Sequence, residues 1–101
     1  MKLIYCKICQ DVYKLSDHET RHCKCRATWG KYLSDKYTAE YYGEYAIPLG
    51  FANSSLREAL ANQPLEGDGK VFTAFVIPQN CPTMTHLTRE SIIDRHLKEK
   101  P

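Results

Sequence analysis

Long apolar runs are missing from this chain. Its most apolar segment, Val71 to Pro78, is far shorter than the roughly 20 residues a helix needs to span a bilayer, so no membrane-spanning helix is expected. Met1-Lys2-Leu3-Ile4-Tyr5-Cys6 carries a lysine but no apolar stretch of signal-peptide length and no small-residue cleavage site, which points to the cytosol. A strong charge of either sign is lacking as well, the formal net charge being only +2. With 43% apolar and 26% charged residues the composition excludes wholesale disorder. A length of 101 residues leaves little room for a second independent core, so residues 1–101 are expected to form one domain. No catalytic motif stands out either. Cys81 and His86 are the nearest approach to a nucleophile and base, and no third residue is evident to orient them. No enzyme is expected, and His96 reads as a solvated residue.

Closely spaced cysteines are what the chain does have. Cys6-Lys7-Ile8-Cys9 is answered by Cys23-Lys24-Cys25. Two such pairs can converge on one tetrahedral ion, because each pair bites as a chelate and the segment between them brings the pairs together. In a reducing compartment paired cysteines are more often metal ligands than disulfides, and four thiolates suit Zn2+ best. With Cys6, Cys9, Cys23 and Cys25 all bound the site is closed, hence structural. His22, directly before Cys23, is an alternative fourth ligand, and His18 a weaker one.

The small net charge is unevenly spread. Residues 1–36 hold eight Lys or Arg against four acids, residues 37–69 one against five, and residues 70–101 five against three. Four thiolates around a divalent ion leave a formal −2, which Lys7, Lys24 and Arg26 are placed to offset. The competing reading is a phosphate-binding patch built from Lys14, Lys24, Arg26 and Lys31.

Leu3-Ile4-Tyr5 suits a strand running into the first cysteine turn, and Asp11 to Leu15 its hairpin partner. Ala27 to Leu33 reads as a strand, Ser34-Asp35-Lys36 as a turn, and Tyr37 to Ile47 as one or two strands broken near Gly43. This order, carried by Cys6, Cys9, Cys23 and Cys25, resembles a zinc ribbon over residues 1–47, with Gln10 and Arg26 standing where ribbon knuckles usually have glycine. The run Ala46 to Leu56 is also similar to small bacterial or phage zinc-ribbon proteins of unassigned function.

Residues 48–101 change character. Ser55-Leu56-Arg57-Glu58 fits a capping box, opening a helix with Leu56, Ala59 and Leu60 on one face that ends before Pro64. Glu66-Gly67-Asp68-Gly69 reads as a plain turn. Val71 to Ile77 has almost no polar face, which predicts a central strand covered on both sides. Thr88 to Lys98 reads as a second helix, with Leu87 beneath its start. The expected fold is α+β: zinc-ribbon-like β hairpins extended by one strand and two helices that share the core.

All seven tyrosines lie within the first 45 positions, close to Trp29. Such side chains serve as strand packing and as anchors for protein partners, and Glu40 and Glu44 among them disfavour phosphate. The expected function is a small zinc-stabilised protein that binds a protein partner, as an adaptor or as a phage or mobile-element inhibitor of a host complex. Its expected contact residues are Trp29, Tyr32, Tyr42, Lys24 and Arg26. The alternative is a nucleic-acid-binding ribbon.

Overall fold

The computed structural model describes residues 1–92. In chain order they form β1 (Lys2–Cys6), β2 (Val12–Lys14), β3 (Arg21–His22), β4 (Trp29–Tyr32), β5 (Ala39–Tyr42), β6 (Ala46–Phe51), α1 (Asn53–Ala61), β7 (Ala74–Val76) and β8 (Met84–Leu87). A further helical turn opens at Arg89, with the Thr88 hydroxyl accepting from the Ser91 amide at 3.1 Å. The remainder of the helix expected to reach Lys98 lies outside the described residues. The structure is mostly β in two sheets with two short helices, which is compatible with an α+β class.

One sheet has the order β2-β1-β6-β7 and the other β3-β4-β5-β8. Neighbours are antiparallel except β5 and β8, which run parallel. Side chains alternate across a strand, and β6 shows it plainly: Ala46, Pro48 and Gly50 are buried while Ile47, Leu49 and Phe51 are half-exposed. Ile4, opposite Tyr13 and Pro48, shares one core with Leu15, Ala39, Tyr41, Ala46, Ile77 and Met84. Residues from both halves of the chain therefore meet in that core.

Three tight turns set the corners, and each places a residue other than glycine in the left-handed region. Gln10 (φ 61°), Arg26 (φ 64°) and Lys36 (φ 60°) all adopt it. The Gln10 amide returns to the Cys6 carbonyl at 2.8 Å, that of Arg26 to Cys23 at 3.1 Å, and that of Lys36 to Leu33 at 2.9 Å. Each of the three adopts this conformation at the steric cost a side chain brings.

Several expectations are corrected. The Val71–Ile77 stretch does not form a central strand: only Ala74–Val76 is extended and paired, at the edge of its sheet, with Val71 90% and Val76 66% exposed. The apolar residues there serve separate ends. Phe75 lies over Gly50, Phe72 packs edge-on against Phe51, and Ile77 enters the core.

Ser55 is not a helix cap. α1 starts at Asn53 behind Ala52, which makes no side-chain cap bond, and the Ser55 hydroxyl accepts from the Thr73 amide at 2.7 Å. The polar hydroxyl was the right signal attached to the wrong donor. Within α1, Ala59 is buried but Leu60 is 66% exposed. The extension beyond residue 47 holds two strands rather than one, because Met84–Leu87 pairs with β5, and β6 runs through that boundary. The strand expected to begin at Tyr37 begins at Ala39: Tyr37 lies outside β5 and is 66% exposed, whereas Tyr41 is buried.

Candidate metal centre

Cys6 ends β1 and Cys9 follows in the turn before β2, while Cys23 and Cys25 lie in the turn between β3 and β4. Their four sulfurs lie within 4.8 Å of one another. Cys6 Sγ is 3.8 Å from Cys25 Sγ, and Cys23 Sγ is 3.5 Å from Cys25 Sγ. An ion held tetrahedrally about 2.3 Å from each thiolate requires sulfurs about 3.8 Å apart, so the donor set fits a metal ion in type and spacing. Among the described residues no histidine joins the cluster. His22 pairs with Trp29 across β3 and β4, and His18 is exposed beside Asp17.

Backbone amides organise the two knuckles. The Cys6 amide donates to the Asp11 carbonyl at 3.0 Å and the Cys23 amide to that of Thr28 at 3.2 Å. The Thr28 amide donates to Cys23 Sγ at 3.4 Å, and its fully buried hydroxyl is 2.9 Å from that of Tyr13. Burial pushes the Tyr13 phenol up to about 12.

Crowding makes the thiols unequal. Burial opposes ionisation of Cys23, but hydrogen bonds from the Thr28 hydroxyl and amide, and from the neighbouring thiols, bring it down to about 6. The Cys9 thiol is lowered, chiefly by the Cys25 amide. For Cys25 the Ala27 amide favours the thiolate, yet desolvation and the three surrounding sulfurs overcome it and push the thiol up to about 12. A bound cation offsets this repulsion, since it favours every ligand as thiolate.

The two knuckles are also tied to each other. The Lys24 amide donates to Asp11 Oδ2 at 3.1 Å. Gly43 and Tyr45 touch one knuckle each: the Lys7 amide donates to the Tyr45 carbonyl at 2.9 Å, while Gly43 packs against Ala27 and Thr28. A Cβ at Gly43 would lie 2.7 Å from the Ala27 carbonyl oxygen, and φ there is +123°, a position only glycine occupies without strain. His86 Nε2 donates to the Gly43 carbonyl at 2.8 Å, its ring stacked on Tyr41 with centroids 4.5 Å apart.

Asp11, Thr28 and the role of Gly43 escaped sequence reasoning. Gly43 was legible as a break in the strand pattern, but nothing in the order of residues marks Asp11 or Thr28 as partners of the second knuckle. The bond between His86 and Gly43 also bears on Cys81, whose Sγ is 3.4 Å from Thr83 Oγ1. Neither hydrogen bond joins the two residues.

The expected contact residues differ in exposure. Trp29 and Tyr42 are half-buried and stacked, with centroids 5.3 Å apart. Tyr32 packs against the core, its hydroxyl accepting from the Lys2 amide at 2.9 Å. Lys24 and Arg26 are exposed beside the cysteines, Lys14 is exposed at the end of β2, and Lys31 is half-buried in β4.

Among the described residues no helix is long and apolar enough to cross a membrane. The chain matches no protein-family model, no curated protein and no solved structure.

Proposed function

We propose that the chain is a zinc-ribbon-like domain whose four cysteines hold one structural Zn2+ and whose surface binds a protein partner. The donor set supports zinc: four thiolates at tetrahedral spacing complete its coordination and leave no open position for substrate. In this role the ion supplies folding free energy and crosslinks the two knuckles.

One observation carries the partner reading. The outward face of the first sheet presents an apolar cross-strand row, Val12, Tyr5 and Ile47, in which Val12 is 48% exposed. Ile8 at the tip of the first knuckle and Tyr45 behind it extend the exposed apolar surface, at 55% and 46%. Contiguous apolar surface of this kind favours an interface. The Trp29–Tyr42 pair, by contrast, already satisfies itself by stacking.

The test is capture of a protein partner from nuclease-treated source lysate, by the wild type and by Val12→Lys. Val12 lies on an edge strand and points outward, so the variant is expected to keep its zinc and melting temperature and to lose the partner. Undiminished capture by Val12→Lys, or a partner lost on nuclease treatment, contradicts this reading.

A further inference from the structure

A groove of about 780 Å³ opens at the far end of β1 from the cysteines. Four separate elements supply cationic side chains to it: Lys14 from β2, Arg21 from β3, Lys36 from the turn after β4, and Arg57 from α1. Asp17 is the one acid among its lining residues, and it is shared between His18 at 3.2 Å and Lys36 at 3.8 Å. Arg21 meets Glu19 at 3.8 Å across an exposed pair. Lys14 and Arg57 have no ion-pair partner among the described residues.

Cations gathered from distant parts of the sequence repel one another, and an anion in the groove relieves that repulsion. The start of α1, which also lines the groove, adds to the positive potential, having neither an acidic residue in its first turn nor a side-chain cap. Leu15, Tyr32 and Leu56 give the groove an apolar wall.

We infer that this groove binds a polyphosphate-bearing ligand of nucleotide size. Two arginines offer paired donors to phosphoryl oxygens and two lysines add point charges, a set that suits several negative charges on adjacent phosphoryl groups better than a single carboxylate. The volume lies within the roughly 300–1,000 Å³ of small-molecule sites, and the apolar wall accommodates a non-phosphate body. The residues involved are distinct from those beside the cysteines, so the groove stands apart from the metal centre.

Calorimetric titration of the zinc-loaded protein with inorganic tripolyphosphate, adenosine triphosphate and an unphosphorylated oligothymidylate tests it, with zinc content measured after each titration because polyphosphates chelate metals. The probes are compared on the wild type, on Lys14→Gln/Arg57→Gln, and on a Lys24→Gln/Lys31→Gln control outside the groove. Lys14 and Arg57 are exposed, so the groove variant is expected to fold with an unchanged melting temperature.

The inference requires tripolyphosphate and the nucleotide to bind the wild type and weaken about tenfold or more in the groove variant, as lost charge-assisted hydrogen bonds imply, with the control within about twofold. Tighter binding of the oligothymidylate than of the nucleotide, lost in the same groove variant, would assign the groove to a nucleic-acid strand and overturn the inference of a nucleotide-sized ligand. Absence of binding by every probe, or equal weakening in both variants, overturns the inference.

Discussion

The backbone amide of Lys24 donates to the carboxylate of Asp11 at 3.1 Å, so the residue between the second pair of cysteines is fastened to a side chain just beyond the first. Together with the Tyr45 carbonyl that accepts from Lys7, this clasp gathers the two knuckles through contacts of the polypeptide itself.

Asp11→Ala is therefore expected to cost about 0.5–1.5 kcal/mol of stability, the usual net worth of a hydrogen bond, because this one is exposed, and to weaken metal retention. Thermal unfolding and competition with a chelator measure the two effects. Equal chelator sensitivity in wild type and variant would show that the clasp does not organise the site.

The knuckle turns give a prediction of opposite sign. Gln10→Gly and Arg26→Gly relieve a left-handed backbone at φ 61° and 64°, and each is expected to be neutral or to stabilise by up to about 1 kcal/mol, because the added freedom of the unfolded chain offsets part of the gain. Gly43→Ala reverses the logic, placing a methyl 2.7 Å from the Ala27 carbonyl, and is expected to lower the melting temperature sharply. A Gly43→Ala protein as stable as the wild type contradicts the packing described.

Much of the first half was legible because its signals are local. The paired cysteines, the turn at Ser34-Asp35-Lys36 and the break at Gly43 follow from chelate spacing and backbone preference, which neighbouring residues decide. The position of a strand within a sheet is decided elsewhere. Val71–Ile77 carries strand-forming residues, but only partner pairing shows that β7 is an edge. Likewise Met84–Leu87 has no strong strand pattern and is recruited by parallel pairing with β5. The clasp was illegible for the same reason, since Asp11 acts on Lys24 across a segment that only the fold brings near.

Ser55 separates two accounts of α1. Its hydroxyl accepts from the Thr73 amide at 2.7 Å, so Ser55→Ala is expected to cost about 0.5–1.5 kcal/mol, while Glu58→Ala, exposed in the middle of the helix, should be close to neutral. Urea unfolding of both variants distinguishes them. A capping box would make both costly, and that result would overturn the hydrogen bonding described.

Tyr13 predicts a dependence on alkaline pH. Burial raises its phenol from 10.0 to about 12 in the folded protein, so the fold favours the neutral form. Its contribution is fully present below pH 10 and is lost as pH rises from there through about 12, because the unfolded phenol ionises first. Wild-type stability should fall relative to Tyr13→Phe across that window, as denaturant unfolding at stepped pH would show. Parallel pH profiles for the two proteins would contradict the assignment.

The central claim is that one zinc held by Cys6, Cys9, Cys23 and Cys25 maintains the fold. Native mass spectrometry of protein purified without chelator, paired with thermal unfolding before and after chelation, tests it most directly. The account predicts one zinc per chain, loss of that zinc in Cys25→Ala but not in His22→Ala, and a large fall in melting temperature when the ion is removed. Metal-free protein that melts at the same temperature with and without chelator would contradict it.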